Sequence, residues 1–342
     1  MNNNTRKGIG VKVYLSSILL LVCVMLLCCS VGRYFVSWEN VFRALSNYLL
    51  GTDYSVEKKA YNTVVLMRLP RVLMSVMAGA SLSIAGCVYQ SVFNNRLISP
   101  DLLGVTNGSC VGAALAILLS WSGSAVMFSS FFFGVAAVLL SLLLTVFMGS
   151  SANITLLLSG IIVSAIFSSC LGLIKYMVDS LEKLEAITFW IMGSLSSVTM
   201  REVRLAAPFI IVSASVLVLL RYHVNIISLG STEAELLGVP FRLTRILVIV
   251  CATILTACTT AVCGTISWIG LIIPHIARLA VGSDNRKLIP FSMLIGASVL
   301  PLIDTLCRCL TVNEIPISIL SAAFGAVTYG VILMRRGRIL HD

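Results

Sequence analysis

The sequence predicts an all-α, polytopic membrane protein with ten transmembrane helices, and three observations support this fold class. First, 58% of the 342 residues are apolar and only 11% are charged, less than half of the roughly 25% found in a soluble domain. Second, nine runs of 16 to 28 residues contain no charged residue, and about 20 apolar residues cross a hydrocarbon core. Third, both ends of the sequence are basic. This composition excludes a soluble enzyme, a nucleic-acid-binding domain, a disordered chain and a secreted disulfide scaffold.

The basic residues at both ends of the sequence raise the predicted number of spans from nine to ten. By the positive-inside rule both termini are predicted to lie in the cytoplasm, which requires an even number of crossings. The stretch Ile246–Gly282 has 37 residues, which as one helix would be about 55 Å long, too long for a single crossing. Gly264 interrupts this stretch, so we split it there. The basic residues at the two ends are Arg6, Lys7 and Lys12, and Arg335, Arg336 and Arg338.

The ten predicted spans follow the apolar runs in order. The first is expected to be retained rather than cleaved as a signal peptide, because its 20 residues exceed a typical apolar signal region. Loops 33–71 and 175–204 are predicted outside, and loops 94–101 and 221–245 inside. No segment is long enough for a separate soluble domain, so residues 1–342 are predicted to form one transmembrane domain. The spans are residues 13–32, 70–93, 102–120, 126–149, 154–176, 205–222, 244–263, 265–282, 288–308 and 315–334.

Several kinds of chemistry are missing from the sequence. It contains no Gly-Lys dipeptide and therefore no Walker A phosphate loop, so the chain is not expected to hydrolyse ATP. No catalytic residue, metal site or cofactor is predicted. Asp304 is the only acid deep inside an apolar run, and Arg308 one helical turn later is expected to pair with it. A proton relay through Asp304 is the less favoured alternative, because a coupled carrier usually needs more ionisable groups in its spans.

A series of short motifs follows the chain from the second predicted span to the last. The motifs, in order, are Arg68-Leu69-Pro70-Arg71, the small-residue stretch Gly79–Gly86, Pro100-Asp101 with Leu103-Gly104, Trp190–Ser194, Glu233-Ala234 with Leu237-Gly238-Val239, the Gly264–Arg278 block, and Glu314-Ile315-Pro316. Their order and spacing resemble the permease family of ABC importers for ferric siderophores, haem and cobalamin. The resemblance covers roughly residues 10–340, and its most specific part is the block from Gly264 to Arg278.

The resemblance implies a function and a set of partners. It implies a multi-pass permease in a bacterial cell membrane, working as a homodimer or as a heterodimer with a paralogue. Two cytoplasmic ATPase subunits would bind the ATP, and an extracytoplasmic binding protein would deliver the cargo. The expected cargo is an iron chelate, most simply a ferric siderophore, with haem or cobalamin as alternatives within the family. A stand-alone secondary carrier or channel is the alternative from another class.

Three arginines are candidates for docking the binding protein. Arg68 and Arg71 are three residues apart, so they project from one face of a helix at the outer side. Paired guanidinium groups suit bidentate capture of carboxylates on a partner, and anchoring to lipid headgroups is the alternative. The resemblance implies that arginines at these two positions and at Arg308 contact acidic residues of the binding protein.

The inner loop 221–245 contains a candidate coupling helix. Residues 231–239 are predicted to form a short amphipathic helix, with Ser231 or Thr232 as N-cap and Gly238 at its end. An ordinary helical loop on the membrane surface is the alternative. The resemblance implies a coupling helix that fits a groove on the ATPase. The residues assigned to this contact are Glu233, Ala234, Leu237, Gly238 and Val239.

The fifth span carries a polar stripe of Ser164, Ser168 and Gly172. Small residues permit close packing between helices in lipid, which is one explanation of the stripe. The resemblance implies the other explanation, that this helix lines the translocation path. Both remain open from the sequence.

Overall fold

The computed structural model describes residues 3–149 and 153–339, with side chains described at residues 12–149, 153–332 and 334. Within these ranges the chain is helical, with no strand. The basic side chains of both ends, apart from Lys12, lie outside the described side chains, so the cytoplasmic location of the termini stays a prediction. The helices are α1 (Asn3–Ser30), α2 (Trp38–Leu50), α3 (Lys58–Asn62), α4 (Leu69–Val92), α5 (Val105–Leu118), α6 (Gly123–Phe147), α7 (Asn153–Met177), α8 (Leu181–Met192), α9 (Met200–Leu219), α10 (Arg221–Ile227), α11 (Ser231–Leu236), α12 (Phe241–Cys263), α13 (Ile269–Val281), α14 (Asn285–Cys309) and α15 (Ile317–Ile339).

Seven of the helical stretches among the described residues are long and apolar enough to cross a membrane. They are α1 from Lys12, the continuous helix Lys58–Val92, α6, α7, α9, α12 and α14. Three further apolar helices, α5, α13 and the first part of α15, are shorter. The chain is therefore a multi-pass helical membrane protein, while the count of ten crossings stays a prediction.

Helix α4 lies at the centre of the bundle and is packed through glycines. A Cβ atom on Gly79 would overlap the carbonyl oxygen of Gly296 in α14, and one on Gly86 would overlap that of Gly270 in α13. Such close backbone approach is the usual role of small residues between helices in lipid. The helix is also longer than the predicted span, because a π-helical stretch at Thr63–Arg68 joins it to α3.

Helices α5 and α13 are shorter than the predicted spans at residues 102–120 and 265–282. With 14 and 13 residues they are about 21 and 20 Å long, shorter than the ~30 Å hydrocarbon core. Each follows an irregular segment, residues 93–104 and 264–268. The first of these segments reaches the start of α13, because Pro100 lies against Gly270.

Residues 94–101 were predicted as an inner loop, but the segment 94–104 instead turns back between the helices. The Ser141 hydroxyl of α6 donates to the carbonyl of Leu103 at 3.1 Å, and Gly160 of α7 lies against Leu102. Gly160 is the eighth residue of α7, about 10 Å along a helix of about 37 Å. The segment thus brings Pro100–Leu103 well inside the helical layer.

The break between α12 and α13 falls at the residue where the sequence predicts it. Helix α12 ends at Cys263, and Gly264 follows with a φ of +69°. A side chain there would also overlap the carbonyl oxygen of Trp190. Glycine is the residue that accepts both a positive φ and so close an approach.

Two predicted outer loops contain further helices. Helix α2 begins after Ser37, whose hydroxyl caps the amide of Asn40, and ends at Gly51 in the left-handed conformation. Its buried residues Val41 and Ala44 pack in one apolar cluster with residues of α1 and the π-helical stretch. Helix α8 lies in the loop 175–204. Helix α2 packs against the π-helical stretch that contains Arg68, and α8 packs against α5 and α15.

Candidate functional site

The three candidate docking arginines line one cavity of about 500 Å³, called here the outer cavity because the predicted topology places it outside. Its lining also includes Glu314. Arg308 is distant in sequence from Arg68 and Arg71, and it comes close to them because α14 packs against α4. The structure therefore brings together the three residues that the sequence assigns to one site.

Arg68 and Arg308 both bind the end of α1. Arg68 is 5% exposed and donates from Nη1 to the carbonyls of Cys29 and Ser30, both at 2.8 Å. Arg308 is 6% exposed and donates from Nη2 to the carbonyl of Cys28. The last carbonyls of a helix have no partner within the helix and attract cations. Since α1 has no basic residue in its last turn, these two guanidinium groups supply the missing donors.

Arg71 is neutralised inside the chain. Its Nε lies 2.9 Å from Oδ2 of Asp304, and its Nη1 lies 2.9 Å from Oε2 of Glu314. This corrects the expected pairing of Asp304 with Arg308, which instead binds the Cys28 carbonyl and the Thr305 hydroxyl. A bidentate contact from another helix outcompetes the neighbour one turn away because both Asp304 oxygens are then satisfied.

The outer cavity keeps a positive charge despite these contacts. Arg71 has two carboxylate partners, whereas Arg68 and Arg308 donate to neutral carbonyl and hydroxyl oxygens. Arg68 and Arg71 do not project freely from a helix start, as the spacing suggested, because both side chains are buried. Their role in docking stays a prediction, and the charge balance favours Arg68 and Arg308 over Arg71.

The candidate coupling helix is shorter than predicted and presents a different face. Helix α11 covers Ser231–Leu236, and Gly230 rather than Ser231 or Thr232 is its N-cap. Gly238 follows with a φ of +76°, which ends the helix as expected.

Only some of the assigned coupling residues face outward. Ala234 and Val239 are buried in the main apolar cluster of this chain, at 0% and 6% exposure. Glu233, Leu237 and Gly238 are exposed, and so is Leu236, at 82%. Sequence reasoning missed Leu236, although a pair of leucines directly after Glu235 in a predicted inner loop was a usable signal.

The polar stripe of α7 faces a second cavity, of about 430 Å³, called here the central cavity. Ser164 and Ser168 line it, whereas Gly172 is exposed further along α7 and is not part of the lining. Nδ2 of Asn107 donates to the Ser164 hydroxyl at 2.6 Å. The lining residues are Asp101, Leu102, Thr106, Asn107, Ile161, Ser164, Ala165 and Ser168.

Sequence reasoning missed the other polar residues of the central cavity. Asp101, Thr106 and Asn107 come from the re-entrant segment and the first turn of α5. The Thr106 hydroxyl donates to the Asp101 carboxylate. A carboxylate directly before a predicted span was a signal that could have found Asp101, but its depth depends on the unforeseen turn of residues 94–104.

Comparisons with known proteins decide the family. Residues 9–335 match the FecCD transport family. The chain belongs to this family. It is similar to the molybdate import system permease protein MolB of Haemophilus influenzae, 36% identical over 96% of both chains. It is also similar to the Fe(3+)-citrate import system permease protein YfmE of Bacillus subtilis, 34% identical over 95% of this chain and 96% of that one.

A solved structure agrees with the fold. It is described as an inward-facing conformation of a metal-chelate type ABC transporter, and it matches with a TM-score of 0.85 and 34% identity. The match covers 95% of this chain and 99% of that chain. The FecCD chain is thus an ABC importer permease, and the resemblance drawn from its motifs is confirmed. The relatives are named for different cargoes, so membership does not by itself identify the cargo of this permease.

Proposed function

We propose that this FecCD permease forms, with a second permease subunit, the path by which an iron chelate, most simply a ferric siderophore, enters a bacterial cell. A binding protein outside the membrane would deliver the chelate, and two separate ATPase subunits inside would drive its passage. The observation that carries the proposal is the exposed polar face of α7. Ser164 and Ser168 line an open cavity at a depth where lipid would offer them no hydrogen bonds.

A second permease subunit would explain this exposed face. Only 22% of the most apolar part of α7 is buried within the chain. Two copies related by a two-fold axis would enclose their polar faces between them, and closed symmetry is the common form of such assemblies. A heterodimer with a paralogous permease would serve the same purpose.

The outer cavity suits an acidic binding protein. Arg68 and Arg308 donate to neutral oxygens, and these contacts do not neutralise their charges. Charged residues at an interface mainly set the rate of encounter and its dependence on salt. Because Arg71 already has two acidic partners, we expect its contribution to docking to be smaller than that of Arg68.

The exposed part of the coupling segment suits an ATPase groove. Leu236 and Leu237 are 82% and 59% exposed beside the buried anchor Ala234. We expect Leu236→Ser to lower ATPase binding at least tenfold, because a few residues that fill pockets at the centre of an interface carry most of its binding energy. Leu243→Ser, 68% exposed on α12, is the matched control. Equal binding of both variants would place the ATPase elsewhere.

The cargo is tested by uptake. The permease, its ATPase and its binding protein are reconstituted in proteoliposomes and offered a radiolabelled ferric siderophore, ferric citrate, haem, cobalamin or molybdate. ATP-dependent uptake of the ferric siderophore is the expected result. Molybdate is the second candidate because MolB is a similar relative. Uptake of molybdate, haem or cobalamin alone would overturn the iron-chelate proposal, and uptake without an ATPase would indicate a stand-alone carrier.

A further inference from the structure

We infer that Asp101 sets the charge preference of the central cavity, so that it admits neutral or cationic chelates more readily than oxyanions and polycarboxylate anions. The inference rests on the proposed function, because it takes the central cavity as part of the translocation path. It names the class of chelate that the path would carry.

Asp101 lies deep in the helical layer. Its neighbour Leu102 contacts Gly160 of α7. A Cβ atom built on Gly104 would lie 3.4 Å from the backbone nitrogen of Ser164, so Gly104 also packs against α7. Ser164 is twelve residues into the 25-residue α7, close to its middle. At this depth the charge lies between helices and not at the protein surface, so screening by water and salt is weaker than at the surface.

The Asp101 carboxylate is open to the central cavity. Its side chain is exposed and lines the cavity together with Asn107, Ser164 and Ser168. The Thr106 hydroxyl, a neutral donor, hydrogen-bonds to the carboxylate. The ion pairs found in the described part of the chain do not include Asp101. Its negative charge is therefore not cancelled, in contrast to that of Asp304, which Arg71 neutralises.

An uncancelled carboxylate changes the energy of a passing solute according to its charge. The carboxylate attracts a cation and repels an anion of equal charge by the same energy, so the energy difference between the two is twice either interaction. A second subunit would add a second carboxylate on the other side of the path. Chelates with no net negative charge pass such a site without repulsion, whereas molybdate or a citrate complex with excess carboxylates does not.

The test compares the labelling of one cysteine by two reagents of opposite charge. Ser168→Cys is introduced into the full-length permease after the exposed Cys23, Cys170 and Cys309 are changed to alanine. In membrane vesicles, labelling rates are measured with the cationic trimethylammonium-ethyl and the anionic sulfonato-ethyl methanethiosulfonates. Each labelling rate is divided by the rate at which the same reagent reacts with a free thiol in solution. The ratio of the cationic to the anionic rate reports the local potential.

We expect the ratio to favour the cation and to fall roughly tenfold in Asp101→Asn, since nearby charges at an effective dielectric constant near 20 interact well above thermal energy. Asp101→Glu should restore the ratio. Glu182→Gln removes an exposed acid on α8, away from the cavity, and should leave the ratio unchanged. Size-exclusion profiles of the variants check that each is folded.

The outcomes separate the inference from the proposed function. Labelling by both reagents with a ratio that Asp101→Asn does not change would overturn the charge preference but leave the water-filled path intact. Labelling by neither reagent would show that Ser168 does not face water, whether or not lipid-soluble N-ethylmaleimide reacts. That result would overturn both the path and the preference.

Discussion

Helices α4 and α7 are nearly equal in length and both are rich in small residues, but these residues do different things. In α4, 78% of the most apolar part of the continuous helix Lys58–Val92 is buried, and Gly79 and Gly86 allow backbones to touch. In α7 the corresponding share is 22%, and Ser168 and Gly172 face outward. A small-residue stripe therefore indicates close packing in one helix and an open polar face in the other. Four substitutions test this difference.

The largest effect is expected at the crossing of α4 with α13. Gly86→Leu would force a side chain into the Gly270 carbonyl, and no flexible group is present to move aside. We expect almost complete loss of folded protein, a cost above about 3 kcal/mol. Gly172→Leu in α7 has open space around it and should fold normally. Fluorescence-detected size exclusion measures both, and equal yields would contradict the packing difference.

The next effect concerns the charge that α4 buries. Asp304→Asn would leave the Arg71 guanidinium inside the bundle without its main partner, at a cost of about 3 kcal/mol. Glu314→Gln should cost less, because Glu314 is 33% exposed and water can replace it. Unfolding temperatures measured in detergent show which of the two variants loses more stability. A larger loss of stability in Glu314→Gln than in Asp304→Asn would show that Glu314, and not Asp304, is the main partner of Arg71.

A substitution on the polar face of α7 is expected to reduce transport while having only a small effect on stability. Ser168→Phe would narrow the central cavity and lower uptake by roughly fivefold, about 1 kcal/mol, while the protein still folds. Ile166→Phe, on the opposite face and 55% exposed, is the control and should transport normally. Uptake in proteoliposomes is the measurement. Normal transport by the Ser168 variant would mean that this face does not line the path.

The smallest effect concerns the start of α14, the helix against which α4 packs. Hydrogen bonding from Arg286 lowers the pKa of Asp284 to about 2, and Asp284 also caps the helix. A folded-state pKa below the unfolded value stabilises the protein at pH above about 4, and this stability is lost as the pH falls through 2.

Asp284→Asn keeps the cap and removes the charge. We expect a loss of about 1 kcal/mol at pH 7, reduced because the site is partly exposed, and a shrinking difference from wild type between pH 4 and 2. Unfolding temperatures across that range test it. A difference that stays constant with pH would mean that the charge is not responsible.

Parts of the fold and site were predictable because the signals are local. The apolar runs, the break at Gly264 and the end of the coupling segment at Gly238 depend on composition and on single glycines. The short lengths of α5 and α13 were not predictable in this way. An apolar run shows that residues avoid water, but it does not show how much of the run is helical.

The membrane class, the order of the motifs and therefore the family were determined by the sequence alone. Which residues are free to act was decided only by the tertiary structure. Ala234 was assigned to a partner but packs inward, and Asp101 reaches the central cavity through a turn that no local pattern marks. Arg71 and Asp304 are 233 residues apart in the chain and meet because glycines let α4 and α14 touch. An arginine inside the bundle favours an acidic partner. Which acidic residue becomes that partner depends on which helices pack together.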